Sequence, residues 1–219
     1  TWAGPEVAVA STKAYTSQVV ALYLFALYFA QVKGTLAAAE IANVVEHLQQ
    51  LPAKISTILE NDEQIRRFAE SIKDATSLFF IGRGLDYAVS LEGSLKLKEI
   101  SYIHSEAYAA GELKHGTLAL IEDNVPVVAL ATQPDIYEKM VSNIVEVKAR
   151  GARVLGFAIE GDRELAKTVD DVIHIPATLP MLTPILTVIP LQLLAYYASV
   201  ARGLDVDKPR NLAKSVTVE

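Results

Sequence analysis

With 219 residues the chain has room for one or two domains, and a composition of 51% hydrophobic and 21% charged residues is that of a globular protein, which excludes a disordered or collagen-like chain. The net charge of −6 argues against a nucleic-acid partner, whose binding needs clustered Lys and Arg. The absence of cysteine excludes a disulfide framework, a thiolate metal site and a Cys nucleophile, and a cytoplasmic location is the expectation.

The sequence starts at Thr1-Trp2 with neither an initiator Met nor a basic segment followed by an apolar one. It therefore reads as a fragment without a secretory signal. Ser11 or Thr12 is the expected N-cap of an apolar helix that runs to about Lys33 and is ended by Gly34. A second helical pattern covers 36–50, with Ile41, Val44, Val45 and Leu48 on one face, and Pro52 is expected to start a third that reaches Glu60. Asp62 is the expected cap of a helix over 63–73. Helices without a strand do not close an α/β core, so residues 1–60 are expected to end a domain whose sheet lies upstream, with 61–75 as a linker helix.

Two stretches, 15–32 and 181–201, approach the ~20 apolar residues that span a bilayer. The first contains Thr16, Ser17 and Gln18, and the second Pro184, Pro190 and Gln192. Neither has Lys/Arg-biased flanks, so buried helices are expected and a membrane partner is not.

From Thr76 strand and helix alternate, the pattern of an α/β doubly wound parallel sheet. Strands are expected at 77–81, 126–131, 153–158 and 171–175, and helices at 134–150, 163–168 and 181–202, with Gly151 and Gly203 as left-handed C-terminal glycines. This domain covers 76–203. The remaining residues, 204–219, lack a period and are broken by Pro209, which predicts an extended tail. Gly82-Arg83-Gly84 stands where phosphate nests occur, after a strand and before a helix. It lacks the third glycine of a dinucleotide fingerprint and any Gly-Lys-Ser/Thr, and reads as a tight turn.

The stretch 91–116 carries the densest chemistry. A helix beginning near Asp86 puts Glu92, Lys96, Glu99 and Ile103 on one strip, with Leu91, Leu95 and Tyr102 expected to face a core. The charged strip has two readings, a solvated salt-bridged surface or a polar pocket, and spacing leaves both open. His115 follows Gly111 in a loop, where an imidazole titrating at roughly 6.5 could shuttle a proton; a surface histidine has the same pattern. His174 reads as a satisfied strand residue and His47 as a solvated helix residue. The four histidines have no HxxxH or HxH spacing with carboxylates, so a transition-metal site is not expected.

The runs EGSLKLKEISYIHSEAYAAGELKHG, DVDKPRNLAKSVTVE and AGPEVAVASTKAYT resemble the isomerase half of the glutamine:fructose-6-phosphate aminotransferases (isomerizing), over nearly the whole chain. The resemblance implies two flavodoxin-like sugar-isomerase (SIS) domains, of which this chain keeps the last helices of the first and all of the second. It also implies a cytoplasmic homodimer that converts fructose 6-phosphate to glucosamine 6-phosphate without a cofactor, using ammonia from a glutaminase domain. By motif, Glu99 of KLKEIS is implied as the base between sugar carbons 1 and 2, with Lys96, one turn before it, implied as a helper that binds substrate. His115 of GELKHG is implied as the ring-opening acid/base, donated to the neighbouring subunit. Lys214 of NLAKSVTVE is implied as the imine-forming amine under a tail that covers the site. Ala213, with Val9 and Ser11 of AVAST, is implied to contact substrate, while Glu92 keeps its reading as surface.

The chain departs from the family in three places. It has no Ser/Thr-rich SxSxxT phosphate loop, it has no glutaminase Cys, and Thr117 stands where the run HGPLAL would put a proline. An SIS enzyme for other amino-sugar or fructosamine phosphates, and a sugar-phosphate-sensing SIS module, are the alternative readings.

Overall fold

The computed structural model describes residues 1–215. Five strands, β1 (Ser77–Gly82), β2 (His104–Ala109), β3 (Pro126–Leu130), β4 (Arg153–Ile159) and β5 (Asp171–Ile175), form one parallel sheet in the order β2-β1-β3-β4-β5. The alternation of strand and helix predicts the doubly wound parallel sheet, and its flavodoxin-like strand order is the one implied by the resemblance. The inner strands are apolar on both faces because helices cover both sides. Phe80, Val128, Leu155 and Phe157 point into one core, whereas Phe79, Ile81, Val127 and Val154 point into the other.

Around the sheet lie α1 (Lys13–Lys33), α2 (Ala38–Glu60), α3 (Glu63–Ser71), α4 (Leu85–Ser101), α5 (Tyr137–Lys148) and α6 (Thr183–Ala201). The larger core gathers residues of α1, α2, α3, α4 and α6; the smaller lies under α5. Glycines 34, 151 and 203 adopt φ of 63°, 86° and 69°, as expected after helix ends.

Several expectations give way. Edge strand β2 is not legible in HSEAYA, which has no apolar run; it forms because β1 offers a free edge, pairing from Ser77–His104 to Gly82–Ala109. Pro52 does not begin a helix but sits inside α2. Its missing N–H leaves the Leu48 carbonyl without that helical partner, while Val44, Leu51 and Ile58, seven residues apart, keep one buried stripe across it. Segment 163–168 forms only a 3-10 turn, Leu165–Lys167. Thr12 and Asp62 stand at the N-cap positions of α1 and α3 as expected, but neither side chain bonds to a backbone amide of its helix. Asp62 instead accepts from the Tyr197 hydroxyl and pairs with Arg66, and α1 is capped from Glu6, as described below.

Both α1 and the segment Pro180–Ala201 are long and apolar enough to cross a membrane, by length and composition only. The apolar window of the second is 61% buried and that of α1 6%, so core packing accounts for α6, whereas α1 leaves Leu22, Phe25, Phe29 and Val32 in the open.

The turn from β1 into α4 is too tight for any side chain at Gly82. A Cβ there would lie 2.6 Å from the carbonyl carbon and oxygen of Asp86 and 2.7 Å from the Tyr87 nitrogen, all backbone atoms. Gly82→Ala should therefore cost about 1–3 kcal/mol of stability through a displaced α4. Urea denaturation measures this, and a loss under about 0.5 kcal/mol would contradict the packing described.

Candidate active site

Helix α4 turns the opposite way from its expected amphipathicity. Leu91 and Leu95 are 48% and 42% exposed, whereas Lys96 is 4% exposed. The cause is the composition of the face that meets the sheet and α6: Ser90, Gly93, Ser94, Leu97 and Ser101, all buried. Small residues allow close approach, and a Cβ at Gly93 would stand 2.7 Å from Leu191 Cδ1 and 3.1 Å from Phe80 Cε1. The serine hydroxyls are satisfied locally, Ser90 donating to the Asp86 carbonyl at 2.8 Å and Ser101 to the Leu97 carbonyl at 2.6 Å. Hydropathy counts such a face as polar, which is why the leucines were assigned to the core.

The charged strip is thus the flank of a packed helix and not a solvated surface. Lys96 Nζ lies 2.7 Å from Glu99 Oε2 and 3.5 Å from Glu92 Oε1. A buried ammonium needs such compensation, since a charge left unpaired in the interior is strongly destabilising. Glu92 therefore belongs to the cluster, contrary to its reading as surface. Burial pushes its carboxyl above the ordinary range, with Lys96 opposing and Glu99 adding to the rise. Glu99 Oε2 is itself buried, and Lys96 approaches it off the direction of a hydrogen bond, so this oxygen has a counter-charge but no hydrogen-bond donor among the described residues. A carboxylate oxygen in that state keeps a lone pair for a proton brought by a ligand. Helix α1 closes on the same region: burial, and then the charge of Glu92, push the Tyr15 phenol up.

The tail brings an amine to the start of α1. From Leu204 to Ser215 it is irregular, tied down where Asp207 accepts from the Val9 amide at 2.9 Å and where the Arg210 amide donates to the Tyr102 hydroxyl at 2.7 Å. The Arg210 guanidinium also stacks 4.2 Å over the Tyr102 ring. Lys214 Nζ donates to the Ala8 carbonyl at 2.9 Å and to Glu6 Oε2 at 3.1 Å. The Glu6 side chain is only 9% exposed. Burial alone would push its carboxyl up, but the Thr12 and Ala14 amides and Lys214 hold it at about 2. Ser11 donates to Glu6 Oε2 at 3.3 Å, and Ala213 is exposed beside Lys214. Residues 216–219, the end of the expected tail, lie outside those described.

The structure thus brings Val9, Ser11, Ala213 and Lys214 together at the loop–tail junction and Lys96 with Glu99 on α4. His115 joins neither group. It is on a 3-10 turn, Ala110–His115, with its side chain 64% exposed and 3.9 Å from Glu112. His47 is half-buried, 3.5 Å from Thr178, so it is not the solvated residue expected; His174 is satisfied by the Asp162 carbonyl at 3.0 Å. The Gly82-Arg83-Gly84 turn is tied to α5, Arg83 donating to Asn143 at 2.8 Å. Sequence reading missed Glu6 and Asp86. Asp86, buried by α4, accepts from the Thr132 amide at 2.8 Å and its hydroxyl at 2.5 Å and so joins the ends of β1 and β3. Neither has a local signal, because each works on a partner that only the fold supplies.

Comparison with known proteins agrees with this architecture. The family model described as SIS domain matches residues 71–202. Over 219 residues the chain is 63% identical to the glutamine--fructose-6-phosphate aminotransferase (isomerizing) of Caldanaerobacter subterraneus subsp. tengcongensis and 59% identical to that of Clostridium tetani. All of this chain is matched in both cases, but it spans only 36% of the length of these relatives. Among solved structures, the C-terminal domain of glucosamine-fructose-6-phosphate aminotransferase from Francisella tularensis superposes with a TM-score of 0.88 at 41% identity, over 94% of this chain and 58% of that one. A putative tagatose-6-phosphate ketose/aldose isomerase from Clostridium novyi NT has the same fold, with a TM-score of 0.84 at 14% identity over 97% of this chain and 55% of that one. The chain belongs to the SIS domain family.

Proposed function

We propose that the chain is the isomerase part of a glutamine:fructose-6-phosphate aminotransferase, forming glucosamine 6-phosphate in a cytoplasmic homodimer. The observation that carries the reading is the buried Glu92–Lys96–Glu99 cluster, whose Glu99 Oε2 has no hydrogen-bond donor among the described residues. Identity to the relatives along the entire chain supports it.

In this reading His115, contributed by the neighbouring subunit, opens the sugar ring; its exposure on a surface turn suits a residue that works outside its own subunit. The Lys214 amine adds to the carbonyl at carbon 2 and water leaves, giving an imine. Ammonia, derived from glutamine by a glutaminase domain, then displaces the lysine. The imine draws electrons from carbon 1, so Glu99 can take a proton there and deliver it to carbon 2 while the proton of the carbon 1 hydroxyl passes to the nitrogen, leaving an aldehyde at carbon 1 and an amine at carbon 2. Lys96 holds the position of Glu99 throughout. Val9, Ser11 and Ala213 contact the sugar beside Lys214. Two carboxylates around one ammonium repel phosphate, so the phosphate of the substrate sits away from α4 and is held by groups outside this chain.

The domain organisation is part of the proposal. Residues 1–60 are the last helices of a preceding SIS domain, 61–75 a linker helix, 76–203 the second SIS domain and 204–219 the tail over the site. The open apolar face of α1 then packs on the sheet of the preceding domain.

Two measurements on the full chain test the reading. With fructose 6-phosphate and glutamine, glucosamine 6-phosphate should accumulate; sugar-phosphate binding without turnover would favour a sensing module instead. For the shared site, mixing inactive Glu99→Gln subunits with inactive His115→Ala subunits should restore activity in heterodimers, up to about a quarter of wild type by random assortment, since half of the dimers are mixed and each mixed dimer has one intact site. Lack of any recovery would place His115 outside the neighbour's site.

A further inference from the structure

The two oxygens of the Glu6 carboxylate have separate tasks. Oε1 accepts from the Thr12 amide at 2.9 Å and the Ala14 amide at 3.1 Å, supplying the cap that the first turn of α1 lacks from its own residues. Oε2 faces the other way, accepting from Lys214 Nζ at 3.1 Å and the Ser11 hydroxyl at 3.3 Å. A helix N-terminus favours a carboxylate, and bonds to two amides of the same first turn prevent it from swinging. An ion pair between freely moving exposed side chains fixes little. Here one partner is immobilised by the helix, and the Ala8 carbonyl, two residues further along the same loop, gives the ammonium a second fixed point at 2.9 Å. The Val9 amide bond to Asp207 joins the same loop to the tail once more.

We infer that Glu6 is the positioning residue for the Lys214 amine, anchored to the start of α1 through one oxygen and seating the lysine of the tail through the other. This rests on the reading of Lys214 as the imine-forming amine. Without the seat the tail still carries its lysine, but the amine no longer waits where the open-chain carbonyl arrives. Misplacement of a reacting group by about 1 Å is enough to slow a reaction roughly a hundredfold.

The division of labour provides its own test. In Glu6→Gln the amide oxygen can take the place of Oε1 and keep the cap, while the NH2 replaces Oε2 and presents a donor to the ammonium. Glu6→Ala loses both functions. In the full chain, the rate of borohydride-trapped adduct formation at Lys214, the KM for fructose 6-phosphate and the thermal midpoint are measured for wild type and both variants. Glu6→Gln should keep its midpoint within about 2 °C of wild type, with KM changing far less than the trapping rate, since in this reading the sugar contacts belong to Val9, Ser11 and Ala213. Its trapping rate should nonetheless fall roughly 10- to 100-fold. Trapping at the wild-type rate, or a midpoint that drops with the trapping rate as in Glu6→Ala, would overturn the inference and leave Glu6 as a cap. If the wild type itself gives no adduct at Lys214, the functional reading falls and this one with it; a wild-type adduct with an unaffected Gln variant removes the role of Glu6 alone.

Discussion

Lys214→Arg should lower the rate of glucosamine 6-phosphate formation by more than about a thousandfold while leaving the fold intact. Arginine preserves a cation for Glu6 Oε2 and the Ala8 carbonyl, both within 3.1 Å of the native ammonium. It cannot serve as an amine nucleophile, because the guanidinium stays protonated at any working pH. Loss of activity with the thermal midpoint and the tail contacts retained would therefore isolate nucleophilic chemistry from tail anchoring. If Lys214→Arg kept more than about a tenth of wild-type activity, the imine would not be on the reaction path.

The second large effect belongs to Glu99. Glu99→Gln changes no volume but removes the base and one of the two carboxylates beside Lys96. We predict a loss of about 10²- to 10⁴-fold in turnover. Because proton transfer follows imine formation, the borohydride-trapped adduct at Lys214 should still form in this variant. Steady-state assay and trapping together decide the point, and a variant that neither turns over nor traps would move Glu99 from the proton-transfer step to binding.

The sheet was legible because its inner strands are apolar on both faces: Phe79 and Phe80 serve opposite cores, and such runs flanked by glycine have few other uses. Strand β2 was not legible, since its formation depends on the free edge of β1 and not on its own composition. Orientation of α4 failed for a related reason. Ser90, Ser94 and Ser101 lose their polarity inside the helix by bonding to carbonyls or, for Ser94, to Ser105, so a polar-looking face becomes the core face. The charged residues Lys96 and Glu99 could be named from the motif, but their burial, and the inclusion of Glu92, required α4 to be placed against the rest of the fold. Glu6 is the extreme case, because its partners Thr12, Ala14 and Lys214 span almost the full length of the chain.

Trapping the full-length wild-type chain with fructose 6-phosphate and borohydride, followed by peptide mapping, tests the central claim most directly. The account predicts one sugar adduct, on the peptide containing Lys214, which free fructose without its phosphate forms far more slowly. An adduct on a different lysine, or substrate turnover with no adduct at all, would contradict it.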